Sequence, residues 1–399
     1  MSVERYDLVI AGGGLAGLTA AAAFGAADFS VLVVDPAPPP DPEAANADRR
    51  STAFLQPAKA LFDAAGLWPA LEPHATALTG LRIIDAGGDP PAPRVSRVFS
   101  PVDLGQDSFG WNLPNALARC RLAAALAEME GVTHAWGQRV TGLVTRTGEA
   151  RLRLDRAGGA VAARLVIAAD GRASVLRSLA GIDARTWHYR QRAFAFQACH
   201  AIPHQGISTE IYLDGGAFTT VPMPDLDGRP CSAIVWMNNA RRAEALAALD
   251  ARGFNEAMSA RACYALGAME RASPMADWPI ITRTAARLTA ERVALVAEAA
   301  HVMPPIGAQG LNTSLHDIAV LYDLAQAAPA DLGTPAFLAR YARAREGDIA
   351  LRARVIDAYN RLCQSGAAPL QGIRRAGLRL VHDVAPLRRA VMQAGLGRR

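Results

Sequence analysis

The chain has 399 residues, of which 51% are hydrophobic and 20% charged, the balance of an ordinary globular protein. This length can bury a large core in one to three domains, and the composition excludes a disordered or collagen-like chain. The formal charge of +5 rests on arginine, with Lys59 as the single lysine, and such a bias alone indicates neither nucleic acid nor anionic lipid as a partner.

Residues 8–27 carry no charge, so their hydropathy alone would suggest a membrane span or a signal peptide. Three consecutive glycines, Gly12 to Gly14, argue against a continuous helix, and no cationic segment or cleavage site frames the run. We predict instead a buried strand at 7–11, a helix at 15–27 and a second strand at 30–34. Together these form a βαβ unit of the usual size.

The remaining elements are predicted from apolar spacing and turn residues. A surface loop covers 36–48, a helix 53–71, two strands around a Gly-Gly-Asp-Pro-Pro turn 80–100, a helix 115–130, and strands 139–146, 150–155 and 160–169. Further along, 187–240 is rich in strands, 241–272 is helical, 277–297 is strand-like, and the chain from about residue 312 onward is mainly helical. The segment 187–240 is therefore expected to form a sheet-based lobe inserted into a nucleotide-binding lobe.

A glycine motif marks the end of the first predicted strand. Gly12, Gly14 and Gly17 fit G-x-G-x-x-G, which lets the N-H groups of a helix approach a pyrophosphate. Alone, the pattern also occurs in structural turns and in sites for other nucleotides. Asp35 lies eighteen residues beyond Gly17 at the end of the second strand, which favours a dinucleotide whose ribose it would bind. The alternative for Asp35 is a solvated acid at a strand end.

A second candidate motif runs from Asp170 to Arg177 after the strand predicted at 160–169. An Asp-Gly turn after a strand is common and can be an ordinary turn with a helix cap. The added Ser174 and Arg177 favour a functional turn.

The third motif covers residues 297–312. Glu298 follows an apolar strand, and its carboxylate could bind ribityl hydroxyls, cap a helix or face solvent. His301 could carry a proton, but a histidine that holds this turn together is the prediction. Pro304 and Pro305 fix a rigid turn.

The end of this motif is suited to a flat ring. Gly307 and Gly310 permit close approach of the backbone, and a helix starting near Leu311 directs free N-H groups at the ring. Two such turns almost three hundred residues apart imply one large cofactor, FAD, across a discontinuous nucleotide-binding domain.

With these three motifs, the chain resembles the class A flavoprotein aromatic hydroxylases, and within them the ubiquinone-biosynthesis hydroxylase family. The resemblance runs from about residue 5 to at least 325, with a weaker helical match beyond. Segments outside the motifs that match in order are Arg50–Phe54, Leu61–Trp68, Phe109–Asn115, Tyr189–Ala193, Gly206–Glu210, Gly215–Gly216 and Pro222.

The resemblance implies an α/β fold with a discontinuous, Rossmann-like FAD-binding domain of the p-hydroxybenzoate-hydroxylase type. That domain is expected to comprise residues 1–78, 101–182 and 275–340. An inserted β-sheet substrate domain would comprise 79–100 and 183–274, and a C-terminal helical region 341–399.

The resemblance also implies the cofactor contacts. The residues expected to bind FAD are Gly12, Gly14, Leu15, Ala16, Gly17, Asp35, Arg50, Ser51, Arg119, Asp170, Glu298, Pro305, Gly307, Gln309, Gly310, Leu311 and Asn312. Arg50 and Arg119 would lie along the ribityl and pyrophosphate portion, and the Asp170 turn would serve both FAD and the reductant. No catalytic side chain is assigned, and the reaction pocket is expected near Pro304, Pro305 and Gly307.

This sequence departs from the family pattern at two places in the third motif. Ala297 and Glu298 stand where Gly-Asp is usual, so the ribityl contact needs a small shift. Ala308 stands where glycine is common beside the glutamine, which is a mild change.

The expected activity is FAD-dependent hydroxylation of a polyprenylated phenol in ubiquinone biosynthesis. NADH, NADPH or another donor would reduce the flavin, and a flavin C4a-hydroperoxide would transfer oxygen to the ring. Phe194, Phe196, Phe218 and Met223 are candidates for the substrate pocket, or plain core residues. The alternatives are a hydroxylase of a soluble aromatic compound and a non-catalytic flavoprotein scaffold.

The C-terminal segments 374–381 and 387–392 mix arginines with apolar residues, as an interfacial helix would. Peripheral contact with the inner face of the membrane is one interpretation, and a helix packed on its own domain is the other. We expect a cytoplasmic protein whose partners are its small-molecule substrate and other ubiquinone-biosynthesis proteins. Nucleic acid is not expected, because no basic recognition helix is evident.

The five cysteines are Cys120, Cys199, Cys231, Cys263 and Cys363. They show no C-x-x-C spacing, which predicts buried free thiols of a reducing compartment rather than disulfides or metal ligands.

Overall fold

The structure is a computed structural model that describes residues 3–44, 47–155 and 159–397. The strands, in chain order, are β1 (Glu4–Ala11), β2 (Val31–Asp35), β3 (Ser51–Leu55), β4 (Thr76–Ala77), β5 (Gly80–Gly87), β6 (Ala92–Phe99), β7 (Gly110–Pro114), β8 (Val132–Trp136), β9 (Val140–Thr145), β10 (Ala150–Leu154), β11 (Ala160–Ala168), β12 (Ala184–His200), β13 (Ile207–Leu213), β14 (Gly216–Leu226), β15 (Arg229–Asn239), β16 (Met269–Arg271), β17 (Ala276–Ala285), β18 (Thr289–Ala290), β19 (Val293–Leu295) and β20 (His301–Val302). The helices are α1 (Leu15–Gly25), α2 (Gln56–Ala64), α3 (Trp68–Leu71), α4 (Asn115–Ala127), α5 (Val175–Leu179), α6 (Ala240–Ala247), α7 (Ala251–Arg261), α8 (Ala297–Ala300), α9 (Gln309–Ala327), α10 (Pro335–Gln364), α11 (Ala368–Asp383) and α12 (Ala385–Leu396).

The first sheet has a parallel centre in the order β19-β11-β1-β2-β8. Short antiparallel strands extend one side, where β10 pairs with β11, β9 with β10 and β18 with β19. Its central strands are continuous apolar runs because helices cover both faces of a parallel sheet. The predicted βαβ unit is confirmed.

α1 is buried along almost its whole length, from Ala16 to Gly25. The uncharged run at 8–27 is therefore a buried strand, a turn and a buried helix, as predicted. Within the described ranges, no helix is both long and apolar enough to cross a bilayer.

The second sheet has the order β20-β17-β12-β15-β14-β13-β5-β6, with β16 beside β12. Only the β13–β5 pair is parallel among these described pairings. Successive residues of a strand point to opposite faces. On β13, Ile211 belongs to the core beneath α6 and α7, whereas Tyr212 packs with Cys363 of α10 on the other face. The sheet is thus covered on both sides.

β17 and β20 lie in this second sheet although they follow residue 274, where the sequence predicts the return to the cofactor-binding domain. The domain boundaries themselves remain a prediction.

A small third sheet has the order β3-β7-β4, and its strands β4 and β7 contact β14 of the second sheet. Here the prediction of a helix from residue 53 is wrong, because 53–55 complete β3 and pair with β7. The apolar side chains of Phe54 and Leu55 are compatible with the spacing of a helix and with that of a strand. Pairing with a strand more than fifty residues later in the chain makes this segment a strand. The helix begins only at Gln56.

The prediction of five free cysteines is wrong for one pair. Cys199 on β12 and Cys231 on β15 are directly opposite in the antiparallel register, with their Cα atoms 4.2 Å apart, and form a disulfide. This pairing follows from strand register, which cysteine spacing does not reveal. Cys120, Cys263 and Cys363 are free.

Candidate functional site

The glycine turn between β1 and α1 excludes side chains at two positions and is open at a third. A Cβ on Gly12 would lie 2.2 Å from a backbone carbonyl oxygen that follows β11, and one on Gly17 would lie 1.8 Å from the Gly12 carbonyl oxygen. A Cβ on Gly14 would meet no atom within 4 Å. α1 begins there with Leu15 and Ala16, and no side chain in the described part of the chain caps it. The open space therefore faces free N-H groups, the arrangement that suits a pyrophosphate.

Two charged side chains reach this turn from neighbouring elements. Asp35, at the end of β2, accepts a hydrogen bond from the Gly13 N-H at 2.5 Å. Arg119 of α4 donates from Nε to the Gly13 carbonyl oxygen at 3.1 Å. An acceptor and a cation therefore flank the turn, and their roles toward ribose and pyrophosphate remain predictions.

α4 leads from this turn to a cavity of about 260 Å³, named here the ring cavity. Asn115 lies one helical turn before Arg119, about 6 Å along the axis, and lines the ring cavity with Arg50 and Ser51. Asp48 accepts hydrogen bonds from Nε and Nη2 of Arg50 at 2.8 Å each. These bonds raise the pKa of Arg50 despite its burial, so a fixed cation stands at the rim of the cavity.

Glu298 and Arg172 form another part of the wall. Their side chains pair at 3.4 Å between Oε2 and Nε, and 47% of the Glu298 side chain is exposed. An ionised carboxylate offers about four acceptor positions, so Glu298 retains capacity for hydroxyl donors. Its contact with the ribityl chain remains a prediction.

The turn before α9 lines the ring cavity on another side. The predicted residues that line it here are Pro305, Gly307, Gln309, Gly310 and Leu311. Gly307 has φ of 60° and Ala308 has φ of 54°, so two consecutive residues are left-handed before α9 begins at Gln309. The free end of α9 therefore points into the cavity wall, two residues earlier than predicted.

Asn312 clamps this turn onto β3. Its Oδ1 accepts from the Leu55 N-H at 2.9 Å, and its Nδ2 donates to the carbonyl oxygens of Ala53 at 2.8 Å and Ala308 at 2.7 Å. The sequence predicts Asn312 as a cofactor residue, and the structure gives it this structural contact. Its cofactor contact remains a prediction.

The Asp170 turn is likewise occupied by contacts within the protein. Asp170 accepts from Ser174 Oγ at 2.5 Å and from the Leu176 N-H at 3.0 Å, which fixes the start of α5. Arg177 donates from Nη1 to the carbonyl oxygen of Ala299 at 3.0 Å and so joins α5 to α8. The residues that favoured a functional turn thus have structural partners, and a cofactor role for Asp170 remains a prediction.

The chemical nature of these groups and their order along the site both fit FAD. An uncapped helix end suits the pyrophosphate, an acceptor beside it suits a ribose, and arginines follow along α4 and β3 toward a cavity with an exposed turn of backbone. A single glycine turn would accommodate many nucleotides, whereas a glycine turn together with the ring cavity fits a longer ligand that has a second flat group.

Comparison with known proteins identifies the family. Residues 5–350 match the family described as FAD binding domain. The chain is also 33% identical over 400 residues to ubiquinone hydroxylase UbiL of Rhodospirillum rubrum, in an alignment covering 98% of this chain and 89% of that protein. The chain belongs to this family of FAD-dependent hydroxylases. The predicted FAD cofactor and the predicted membership in the ubiquinone-biosynthesis hydroxylases are confirmed.

Two further similarities agree with this assignment. The hydroxylase is 25% identical to the 3-demethoxyubiquinol 3-hydroxylase of Escherichia coli, with all of both chains covered. The crystal structure of p-nitrophenol 4-monooxygenase PnpA from Pseudomonas putida DLL-E4 superposes with a TM-score of 0.79 at 17% identity, again over 100% of each chain. At that identity the superposition shows the fold alone, and it confirms the predicted fold class.

A second cavity of about 560 Å³, named here the apolar cavity, adjoins the ring cavity in the hydroxylase. Residues that line both are Ala53, Glu210, Thr219, Val221, Gly307, Ala308 and Gln309. Its other walls come from β5, α10, α11 and α12, with Leu81, Leu362, Leu378, Val381 and Met392 among them. The two C-terminal helices therefore pack on their own protein, and their inner faces line a cavity.

Gln309 links the two cavities to the last helix. Its Nε2 donates to the carbonyl oxygens of Gly307 and Gly395, each at 3.0 Å, and Arg352 donates to its Oε1 at 2.7 Å. These hydrogen bonds fix the end of α12 to the turn before α9, which lines the ring cavity.

The sequence analysis missed Glu210 and Tyr212 as site residues. Both are buried on β13 and line the apolar cavity, and the Tyr212 hydroxyl donates to Glu210 Oε2. A charged residue within the alternating apolar strand Ile207–Leu213 was the available signal. Of the aromatic pocket candidates, Phe196 lines the ring cavity, whereas Phe194 and Phe218 are core residues beside α6 and α7.

Proposed function

We propose that the hydroxylase acts on a polyprenylated phenol, with the ring at the junction of the two cavities and the isoprenoid tail in the apolar cavity. The observation that carries this proposal is the shared wall, because one ligand can then reach the flavin site and still bury a long apolar tail. UbiL and the Escherichia coli enzyme bear names that describe hydroxylation in the ubiquinone series.

The apolar cavity favours an isoprenoid over a small soluble phenol. Each buried CH₂ contributes about 0.8 kcal/mol, which a small ring without a tail does not gain. Leu81, Leu378 and Met392 supply such a surface. A tail bound in the apolar cavity would also keep water from the junction, which protects a reactive oxygen donor from hydrolysis.

FAD, when bound, accepts hydride and activates O₂ for transfer to the ring. The chain's own residues bind and orient the two reactants. We propose that Arg50, Arg119 and the turn at Gly12–Gly17 hold the cofactor, and that the backbone at 307–309 faces its ring. NADH or NADPH is proposed as the transient reductant.

We also propose that the mouth of the apolar cavity faces a membrane. Ile373 of α11 and Val391 of α12 line this cavity and are also 60% and 45% exposed, so the cavity opens between the two helices. A tail longer than the cavity can leave through this opening into lipid. Peripheral contact would also place the enzyme beside other ubiquinone-biosynthesis proteins.

Product analysis tests the substrate assignment. FAD-loaded protein is supplied with NADH or NADPH, isotopically labelled O₂ and either 2-farnesylphenol or 2-methylphenol. We expect the label in a hydroxylated farnesylphenol, identified by mass spectrometry, with little product from 2-methylphenol.

Each alternative gives a different result in the same assay. Efficient hydroxylation of 2-methylphenol but not of the farnesyl compound would support a soluble aromatic substrate. Purified protein without flavin absorbance, even after incubation with FAD, would support a non-catalytic scaffold.

A further inference from the structure

Glu210 occupies an unusual position in the cavities. It is 7% exposed, and among the described residues that line both cavities it is the ionisable one. β13 carries it on the face that also presents Tyr212, and the parallel neighbour β5 places Ile83 beside it. Its carboxyl group therefore lies where the two proposed reactants meet.

The hydrogen bonds of Glu210 orient it without neutralising it. The Tyr212 hydroxyl donates to Oε2, and the backbone of Gly307 makes a further hydrogen bond with the carboxylate. Within the described ranges, none of the ion pairs involves Glu210. By contrast, the buried Asp317 and Asp85 each face an arginine. A buried carboxyl without a cation is costly, and about half of its acceptor positions remain available to a ligand.

We infer that Glu210 accepts the proton of the substrate's phenolic hydroxyl, with Tyr212 and Gly307 holding its carboxylate toward the ring. This inference rests on the proposed function and assigns a catalytic residue to it. The phenolic O-H bond breaks, the proton bonds to a carboxylate oxygen of Glu210, and the electron pair stays on the phenolic oxygen.

The step changes no oxidation state, and it prepares the ring for oxygen transfer. Electron density on the phenolate oxygen spreads to the ring carbons, which makes them better nucleophiles toward the electrophilic oxygen that FAD and O₂ supply. The attacked carbon then loses its hydrogen as a proton and the ring regains aromaticity. The proton on Glu210 returns to the phenolic oxygen or leaves with the product.

The electrostatics of the site suit a base of this kind. Burial raises the pKa of Glu210, against the hydrogen bonds from Tyr212 and Gly307, so the carboxylate binds a proton more strongly than an exposed glutamate does. Burial also raises the pKa of Tyr212 and Tyr359 well above the usual value and that of Cys363 to about 12. Asp85 of β5 and Arg374 of α11, which also line the apolar cavity, form an ion pair with each other. Among these groups, Glu210 is the one placed to titrate during turnover.

The first test measures ionisation of a bound probe without turnover. A 2-farnesyl-4-nitrophenol absorbs visible light as the phenolate, and it is titrated with FAD-loaded protein in the absence of reductant. We expect the bound probe to ionise at a pH at least about one unit higher in the wild type than in Glu210→Gln, because the carboxyl group and the phenol share one proton and the ionised carboxylate disfavours a second negative charge beside it. Glu244→Gln, an exposed glutamate of α6, serves as the control and should match the wild type. Identical ionisation in Glu210→Gln and wild type overturns the assignment.

The second test measures turnover across pH. We expect Glu210→Gln to hydroxylate 2-farnesylphenol about 10²–10⁴-fold more slowly while flavin binding and reduction persist. Wild-type activity should fall as the pH drops through the pKa of Glu210, and this acid limb should vanish in Glu210→Gln. In Tyr212→Phe the acid limb should move to higher pH, because the lost hydrogen bond favoured the charged form.

The outcomes separate this inference from the proposed function. If wild-type protein hydroxylates no prenylated phenol, the proposed function fails. If the wild type is active and Glu210→Gln retains its rate and its acid limb, the inference alone fails. A slow Glu210→Gln that keeps the acid limb assigns that limb to another group and also overturns the inference.

Discussion

Buried charges in this hydroxylase serve different purposes according to their partners. Asp317 of α9 is fully buried, and its carboxylate accepts from Arg345 Nε at 2.8 Å and contacts His301 Nε2 at 2.7 Å. It also accepts from the Ala297 N-H at 3.2 Å. One side chain thus joins α8, β20, α9 and α10 behind the ring cavity, and the prediction that His301 holds this turn together is confirmed.

We predict that Asp317→Asn lowers the free energy of unfolding by about 3–5 kcal/mol, because it leaves the buried guanidinium of Arg345 without one of its charged partners. Urea denaturation of the FAD-loaded protein measures the change. Asp323→Asn, an exposed position on the same helix, is the matched control and should change the unfolding free energy by less than about 0.5 kcal/mol. Equal losses in both variants would contradict the role given to Asp317.

The contacts of Asp317 also predict how the stability of the protein changes with pH. Burial alone would raise the pKa of Asp317, but the contacts with His301 and Arg345 outweigh it and hold the pKa below the usual range. A lowered folded-state pKa stabilises the protein above the ordinary aspartate pKa, and this contribution is lost as the pH falls toward the folded-state value. The stability difference between wild type and Asp317→Asn should therefore shrink in acid.

Two alanines show what a sequence cannot reveal about single residues. Ala297 has φ of 55° and Ala308 has φ of 54°, a region that glycine adopts without strain. Both occupy positions where the resembled family commonly has glycine, so the sequence did indicate that the backbone there is special. It could not show that this chain keeps the left-handed conformation with a Cβ present.

At the scale of elements, α11 is attached to the second sheet by a buried ion pair. Arg374 donates from Nε to Asp85 Oδ2 of β5, and the two residues are 5% and 1% exposed. The same helix forms a wall of the apolar cavity. The pair therefore attaches this wall of the cavity to the second sheet.

We predict that Arg374→Met loosens α11, because it leaves the Asp85 carboxylate buried without its main cation. Hydrogen exchange followed by mass spectrometry should show faster exchange in 368–383 and little change in α1. The double variant Asp85→Leu with Arg374→Met should recover most of the protection, since apolar groups often replace a buried ion pair without loss. Exchange in α11 that is unchanged in the single variant would exclude this anchoring role.

For the whole molecule, the sequence predicted local features well and distant contacts poorly. The glycine turn, the βαβ unit and the third motif are encoded in short segments with strong steric requirements, so they were predicted with their cofactor. The wall of the apolar cavity is formed by segments as far apart in the chain as Ala53 and Leu396, so no short sequence pattern can predict it. Glu210 and the inner faces of α11 and α12 became site residues only when these segments met.

The outer surface of the C-terminal helices carries the features on which the proposed membrane contact rests. Leu370, Ile373 and Leu380 are exposed at spacings of three and seven residues and form one stripe on α11, and the exposed Val384 follows directly after the helix. Arg379 of α11 and Arg389 of α12 are exposed. Apolar residues flanked by arginines are the composition of an interfacial helix, and the mouth of the apolar cavity opens among them.

We predict that the protein floats with vesicles that contain phosphatidylglycerol and much less with phosphatidylcholine alone. Each arginine near an anionic surface contributes about 1 kcal/mol, so Arg379→Gln with Arg389→Gln should weaken binding by about 2 kcal/mol, roughly thirtyfold. Ile373→Glu should weaken vesicle binding further by removing an apolar contact at the mouth of the apolar cavity.

Val144→Glu is the matched control, because Val144 is 57% exposed on β9 of the first sheet. If the arginine pair, Ile373→Glu and Val144→Glu all bind as the wild type does, or if low salt gives no flotation, the opening between α11 and α12 does not face a membrane. The substrate's tail must then enter from solution.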